Sequence, residues 1–208
     1  MLNLANYKNI ILDLGGVILD LDFERCLKAF RELGIPDIDD LYHLPVHYPF
    51  FELFERGLIS PEDLRNEIRK ATGNNLSDSE IDYAWNRISV GFTREAIETV
   101  KKLNRRFRMF LLSNTNAIHE VYYNSQLRMQ HGIENLTDLF EKVYYSHHLH
   151  MRKPDAEIFK YVLNDSGLIP EETLFVDDTL IHLETASGLG INTYHLSPPQ
   201  RIEEIFPV

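Results

Sequence analysis

The sequence predicts an α/β protein with a doubly wound parallel sheet and an inserted helical segment. Five short apolar runs alternate with helical patterns, and this alternation is typical of parallel strands joined by right-handed helical crossovers. Residues 37–95 interrupt it, because they show helical patterns and no convincing strand. We therefore expect two domains: a core formed by residues 1–20 and 93–208, and a small helical domain formed by residues 21–92.

The first predicted strand, residues 10–12, is a continuous apolar run that ends at Asp13 and is followed by Gly15 and Gly16. Aliphatic runs bounded by glycine indicate a strand that is buried on both faces of a parallel sheet. A carboxylate at the end of such a strand is costly unless it is paired. In open α/β sheets, ligands bind beyond the carboxyl ends of the strands. Asp13 is therefore either part of a site or a capping residue of the following turn.

Capping sequences predict the helices of the inserted segment. Ser60 precedes Pro61, which places a good N-cap residue before a proline at the first helical position. Ser77 and Glu80 have the spacing of a capping box before an apolar periodic stretch. An earlier helix is expected from residue 23 to about residue 33, where a glycine and a proline end it.

The alternation of strands and helices resumes after the insert. Short runs rich in aliphatic and aromatic residues predict four more strands, at residues 108–112, 142–146, 173–176 and 191–194. Helical periodicity between them predicts crossover helices at residues 93–103, 118–130, 155–166 and 183–189.

Composition limits the classes of partner and the compartment. The chain has 208 residues, 44% of them hydrophobic, which suffices for one domain with an insert. Its net charge of −11 argues against nucleic acid and anionic membranes as partners, because both bind basic surfaces. No apolar run approaches a membrane span, and the N-terminus lacks a signal-peptide pattern. The single cysteine, Cys26, is expected to pack in a helix and fits a reducing compartment, so we expect a cytoplasmic protein.

Polar side chains follow the ends of four predicted strands. In chain order they are Asp13, Ser113 with Asn114, Lys153, and Asp177 with Asp178. Parallel strands bring these ends to one edge of the sheet. Carboxylates so close together repel each other unless a cation binds, and Mg²⁺ suits oxygen ligands while leaving room for phosphate oxygens. A hydroxyl, an amide and an ammonium group beside such a metal favour a site for a phosphoryl group.

These four motifs, in this order and strand context, resemble those of the haloacid dehalogenase-like hydrolase superfamily, whose members are mostly phosphatases. The resemblance covers essentially the whole chain and implies a Rossmann-like core with an inserted small helical cap. Within the family, the stretches Glu55-Arg56-Gly57 and Met151-Arg152-Lys153-Pro154 are similar to those of bacterial sugar phosphatases of the α-D-glucose-1-phosphate phosphatase type.

The resemblance implies a Mg²⁺-dependent phosphomonoester hydrolase that acts through an aspartyl-phosphate on a small phosphorylated metabolite, foremost a sugar phosphate. Asp13 is the implied nucleophile, and Lys153 keeps it ionised and neutralises the phosphate. Further phosphate contacts are expected from Ser113, from Asn114, and from the backbone N–H groups of Leu14, Gly15 and Gly16. The implied metal ligands are Asp13, the Gly15 carbonyl and Asp178, with Asp177 holding a metal-bound water or steadying Lys153.

Gly15 departs from the family pattern. Most phosphatases of the family carry a second aspartate at this position, which protonates the leaving group and later activates water, and such help is worth roughly 10²–10⁴-fold in rate. This departure keeps open a catalytically impaired binding or regulatory protein. A haloacid dehalogenase is a further alternative, although that chemistry needs no Mg²⁺ and does not require both Asp177 and Asp178.

The cap is expected to select the substrate. His47, Tyr48, Glu55 and Arg56 combine aromatic and polar groups that suit a sugar, and we expect them to reach the ligand. A second cluster, His147, His148 and His150, is a weak candidate for a transition-metal site, because the sequence offers no acidic partner at ligand spacing. The oligomeric state stays open.

Overall fold

The computed structural model describes residues 4–35 and 50–206. Within these residues the strands are β1 (Asn9–Leu12), β2 (Leu19–Leu21), β3 (Ser89–Phe92), β4 (Arg108–Ser113), β5 (Lys142–Tyr145), β6 (Thr173–Asp177) and β7 (Asn192–His195). Five of them form a parallel sheet in the order β5-β4-β1-β6-β7. The predicted α/β class and its five parallel strands are therefore confirmed.

The helices of the described residues connect and flank these strands. They are α1 (Phe23–Glu32), α2 (Phe50–Glu55), α3 (Pro61–Thr72), α4 (Asp78–Asn86), α5 (Arg94–Leu103), α6 (Ala117–His131), α7 (Ser146–Leu149), α8 (Ala156–Asp165), α9 (Leu180–Gly188) and α10 (Ile202–Ile205). Short 3₁₀ turns lie at Leu136–Asp138 and Pro170–Glu172. None of the helices in the described residues is both long and apolar enough to span a membrane.

Strand β1 lies at the centre of the sheet, and this explains its uninterrupted apolar sequence. Side chains of successive residues point to opposite faces of a strand. Ile10 and Leu12 belong to the apolar cluster on one face, and Ile11 belongs to the cluster on the other. Helices cover both faces of the sheet. A strand that alternated apolar and polar residues would therefore bury polar side chains in one of the two apolar clusters.

The strand register brings the polar strand ends together. Leu12 lies opposite Leu111 of β4 and Val176 of β6. The next residue of the first strand, Asp13, therefore emerges beside Asp177, because parallel neighbours advance in step. The sequence predicted that the polar strand ends share one edge of the sheet. In the structure, that edge is formed by the carboxyl ends of the adjacent strands β4, β1 and β6.

The inserted segment has an apolar cluster of its own. Most of its buried side chains come from the helices α1 to α4, among them Phe30, Leu64, Ile68 and Trp85. Cys26 is buried among them, in agreement with the packing interpretation. The cluster is separate from the two clusters of the sheet, apart from a contribution by Ile118 and partly buried residues at its border. The predicted division at residues 21 and 92 stays a prediction.

Strands β2 and β3 are the main difference from the sequence prediction. The expectation of no strand in residues 37–95 is wrong, because Ser89–Phe92 pairs antiparallel with Leu19–Leu21. The two strands are the paths by which the chain leaves and re-enters the core. Each strand is three or four residues long. A run this short shows too few alternating apolar and polar residues for the sequence to distinguish it from a loop.

A close backbone contact joins the inserted segment to the core. A Cβ atom built on Gly57 would lie 2.1 Å from the His147 carbonyl oxygen, and Gly57 has φ of +65°. Ser146 Oγ donates a hydrogen bond to the Glu55 carbonyl oxygen at 2.6 Å. The left-handed backbone of residue 57 and its close approach to the His147 carbonyl group both favour glycine at this position.

Leu64→Ala tests the apolar cluster of the inserted segment. Leu64 is fully buried in α3, so its truncation should lower the free energy of unfolding by about 2–5 kcal/mol. The matched control is Val121→Ala, because the Val121 side chain is 75% exposed and its truncation should change stability by less than about 0.5 kcal/mol. Chemical denaturation of both variants measures the difference, and equal effects would contradict this packing.

Candidate active site

A buried lysine between two aspartates forms the centre of the site. Lys153 Nζ lies 2.8 Å from Asp13 Oδ1 and 2.6 Å from Asp177 Oδ2. The side chains of Lys153 and Asp177 have no exposed surface, and that of Asp13 is 11% exposed. A buried ammonium is tolerated only when it is paired and hydrogen-bonded, and two carboxylates satisfy that requirement here.

Asn114 holds the backbone of Lys153 in place. Asn114 Nδ2 donates to the Lys153 carbonyl oxygen at 2.8 Å, and the Lys153 N–H donates to Asn114 Oδ1 at 2.9 Å. This paired contact ties the loop after β5 to the end of β4. The sequence analysis expected the Asn114 backbone to bind phosphate and missed this role of its side chain, because the two residues lie 39 positions apart.

The electrostatic environment distinguishes the two aspartates. Burial raises the pKa of Asp13 above its ordinary value, and Lys153 only partly opposes that effect. Burial also acts on Asp177, but Lys153 and His182 together hold the pKa of Asp177 below its ordinary range. The neighbouring carboxylates keep the pKa of Lys153 high despite its burial, so its ammonium stays charged.

His182 contributes to this environment and is a residue that the motif-based sequence analysis did not identify. Its Nδ1 lies 3.1 Å from each carboxylate oxygen of Asp177, and its side chain is 13% exposed. His182 is therefore a largely buried polar partner of Asp177 and not a solvated residue at the helix start. Its position five residues after Asp177, in the first turn of α9, is the signal that favours this contact.

The carboxylates at this edge fit a hard divalent cation. Asp13, Asp177 and Asp178 can each offer an oxygen within 4.8 Å of the others. Burial raises the pKa of Asp178, and the nearby Asp177 carboxylate raises it further, so a bound cation would relieve a real repulsion. Asp177 Oδ2 accepts from Lys153 and its Oδ1 accepts from the Thr179 N–H, so both oxygens of Asp177 are engaged within the protein.

Gly16 differs from the expectation that its N–H belongs to an anion cradle. The Gly16 N–H donates to the Leu19 carbonyl oxygen at 3.0 Å, so it stabilises the turn between β1 and β2. A Cβ atom at Gly16 would lie 2.2 Å from Asp178 Oδ2, and the residue has φ of +71°. Gly16 therefore lets the loop approach the Asp178 carboxylate closely.

A cavity of about 320 Å³ opens beside this centre and lies between the sheet edge and the inserted segment. The core contributes Leu14, Gly15, Ser113 and Asn114 to its wall, among other residues. Ser113 is 2% exposed, so its hydroxyl is buried at the end of β4. Four of the six residues that were expected to bind phosphate therefore line this cavity, whereas Gly16 and Lys153 are not among its lining residues.

The inserted segment contributes aromatic and charged side chains to the opposite wall. They include Phe51, Glu55 and Trp85, and the core adds His119 and Arg152. Phe51 stacks on Trp85, and Trp85 stacks on His119, with ring centroids 5.1 and 5.4 Å apart. These ring contacts bring residues of α2, α4 and α6 together, and no sequence pattern predicted them.

The four residues that were expected to reach the substrate have different outcomes. Glu55 lines the cavity and forms an ion pair with Arg152 at 3.0 Å. Arg56 instead forms ion pairs with Glu52 and with Asp155, at 2.9 and 2.8 Å, and so links the insert to α8. His47 and Tyr48 lie outside the described residues.

The histidine cluster has an acidic partner that the sequence did not reveal. Glu120 Oε2 lies 2.9 Å from His147 Nε2 and 3.1 Å from His148 Nε2. The rings of these two adjacent residues therefore converge on one carboxylate oxygen. His150 lies apart from the pair and contacts the Arg56 carbonyl oxygen through Nδ1 at 2.9 Å.

Comparisons with known proteins agree with this geometry. The haloacid dehalogenase-like hydrolase family matches residues 7–190. The chain is 34% identical to a D-ribitol-5-phosphate phosphatase of Bacteroides thetaiotaomicron, over 90% of both chains.

Solved structures show the same similarity. A haloacid dehalogenase family enzyme from Bacteroides thetaiotaomicron, in complex with magnesium and inorganic phosphate, is 36% identical with a TM-score of 0.86, over 96% of this chain and 99% of that chain. A predicted hydrolase of the same family from Porphyromonas gingivalis is 33% identical with a TM-score of 0.83, over 92% and 91% of the two chains. The chain is thus an enzyme of the haloacid dehalogenase-like hydrolase family.

Proposed function

We propose that this enzyme is a Mg²⁺-dependent phosphomonoester hydrolase that acts through an aspartyl-phosphate on a small phosphorylated sugar or sugar alcohol. The observation that carries the proposal is the buried Lys153 ammonium between Asp13 and Asp177, beside a cavity that Leu14, Gly15 and Asn114 help to line. The phosphatase named among its relatives and the related structure with magnesium and phosphate support this choice.

Asp13 is the nucleophile of the proposed reaction. One oxygen of its carboxylate attacks phosphorus while the bond from phosphorus to the leaving oxygen breaks, which gives an alcohol and a phosphorylated Asp13. Water then attacks the same phosphorus, the bond to Asp13 breaks, and inorganic phosphate leaves. A covalent route of this kind divides one difficult displacement into two easier ones.

The charges around Asp13 stabilise the phosphoryl group during both steps. Lys153 is held in place through its backbone by Asn114 and through its ammonium by Asp177. The Ser113 hydroxyl and the backbone N–H groups of Asn114, Leu14 and Gly15 bind the non-bridging oxygens. Asp13, Asp178 and the Gly15 carbonyl would hold Mg²⁺, which supplies further positive charge to these oxygens when bound. Such preorganised charge is a large part of phosphoryl-transfer catalysis.

Phosphate release from a panel of monophosphates tests the proposal directly. The panel contains D-ribitol 5-phosphate, several hexose phosphates, nucleoside monophosphates and p-nitrophenyl phosphate. We expect turnover with Mg²⁺, strongest among the sugar and sugar-alcohol phosphates, and none in EDTA because the charge at Asp13 and Asp178 is then uncompensated. Absence of release from every substrate by the folded protein would refute the proposed function.

Asp13→Asn tests the nucleophile. The amide cannot form the acyl-phosphate, so turnover should fall by about 10³-fold or more. Lys153 keeps Asp177 as its partner, and the variant should therefore stay folded by circular dichroism. The control is Asp165→Asn, an exposed ion-pair partner of Lys142 with no contact to the site. Retention of more than a tenth of wild-type turnover would exclude Asp13 as the nucleophile.

Asp178→Asn tests the metal ligands without an activity assay. Titration calorimetry with MgCl₂ should give a dissociation constant raised by about tenfold or more, because a charged ligand is lost. The Asp165→Asn protein serves again for comparison, and its affinity should match that of the wild type. An unchanged Mg²⁺ affinity for Asp178→Asn would place the ion elsewhere.

A further inference from the structure

The proposed reaction requires a proton donor that Gly15 cannot supply. The leaving alkoxide must gain a proton in the first step, and the attacking water must lose one in the second. A Cβ atom built on Gly15 would lie 2.6 Å from Leu21 Cδ1, so Leu21 occupies the space that an acidic side chain at this position would enter. A side chain that supplies acid and base catalysis must therefore belong to a residue other than Gly15.

Glu55 is a carboxyl group on that wall, opposite the core residues. It lines the same cavity as Gly15 and Ser113, and its side chain is 29% exposed. The end of α2 that carries Glu55 is anchored to the core, because the Glu55 carbonyl oxygen accepts from Ser146 Oγ at 2.6 Å. Arg152, the residue before Lys153, lies 3.0 Å from Glu55 Oε2. The backbone and the carboxyl group of Glu55 are thus each held by one contact to the core, on the wall of the cavity.

We propose that Glu55 is the general acid and general base of this enzyme, in place of the side chain that Gly15 lacks; the inference rests on the proposed function. In the first step, the Glu55 carboxyl donates its proton to the leaving oxygen as the bond from that oxygen to phosphorus breaks. In the second step, the Glu55 carboxylate takes a proton from the water that attacks the phosphorylated Asp13. The residue ends each cycle in the protonated form in which it began.

The surroundings of Glu55 are suited to both protonation states. Burial raises the pKa of Glu55, and Arg152, Lys153 and His182 oppose that effect, while Glu52 adds to it. A phosphate group that enters the cavity brings negative charge, which favours the protonated form before the first step. Arg152 then stabilises the carboxylate that the proton transfer leaves behind.

His119 is another titratable group on the cavity wall, but it is poorly suited to this role. Burial lowers the pKa of His119 to about 3, so the ring holds no proton to donate near neutral pH. Its Nδ1 also lies 2.9 Å from Asn86 Oδ1 and pairs with that amide. Glu55 is therefore the better proton donor of the two.

Glu55→Gln tests whether Glu55 donates a proton or only holds the structure. The test compares two substrates whose leaving groups differ in their need for a proton. p-Nitrophenolate leaves without a proton, whereas an alkoxide requires one. We expect kcat/KM to fall about 10²–10⁴-fold for the alkyl phosphate that the wild type hydrolyses fastest, and to change less than about threefold for p-nitrophenyl phosphate. Rapid mixing with p-nitrophenyl phosphate should show a burst of one p-nitrophenolate per enzyme, because the second step still needs a base.

Asp82→Asn is the matched control. Asp82 is another carboxylate of the insert, paired with Arg65 at 2.7 Å, and it is not among the residues that line the cavity. Its kcat/KM should match the wild type for both substrates.

Three outcomes would overturn the inference. Parallel losses of kcat/KM for both substrates would indicate that Glu55 only positions other groups. An alkyl-phosphate kcat/KM that falls less than about tenfold would exclude Glu55 as the acid, and absence of the burst would exclude it as the base. A wild type that hydrolyses neither substrate would refute the proposed function itself, so that failure is distinct from the other three.

Discussion

The Lys153 ammonium and its two aspartates form the interaction on which the rest of the site depends. All three groups are largely removed from water, and such an arrangement is stable only when every charge has a partner at short distance. That condition fixes the relative positions of β1, β6 and the loop after β5. The Asn114 side chain supplies the remaining constraint, since its amide donates one hydrogen bond to the backbone of Lys153 and accepts another from it.

The same interaction explains the electrostatic character of the sheet edge. Lys153 is one positive charge near Asp13, Asp177 and Asp178, so the edge keeps an excess of negative charge. Asp177 uses both its oxygens within the protein, which leaves Asp13 and Asp178 for other partners. An edge of this kind suits a divalent cation first and a phosphate group second, because the cation turns a repulsive site into an attractive one.

The inserted segment completes the site from the other side. It has its own apolar cluster, yet Gly57 lies so close to the backbone of His147 that a side chain at residue 57 would collide with the His147 carbonyl oxygen. Arg56 bridges to Asp155, and Glu55 reaches Arg152, so two successive residues of the insert each pair with the core. The cavity wall is thus built from both parts of the chain, and its chemistry follows from how the insert docks on the sheet.

Local sequence determined the fold class, the parallel strands, the capped helices and the four polar strand ends. These features depend on apolar periodicity, on turn residues and on near neighbours along the chain, which the sequence displays directly. The site could be predicted as a set because parallel strands must end at one edge. No further information was needed to predict that Asp13, Ser113, Lys153 and Asp177 lie at the same edge of the sheet.

The tertiary structure decided what local patterns cannot express. The β2–β3 pair, the contact of Asn114 with Lys153 and the ring stack of Phe51, Trp85 and His119 all join residues far apart in sequence. The separation of Glu55 from Arg56, one toward the cavity and the other toward Asp155, depends on how α2 ends against the core. Docking geometry of this kind arises from packing and hydrogen bonding between distant segments, and a single sequence contains no periodic signal for it.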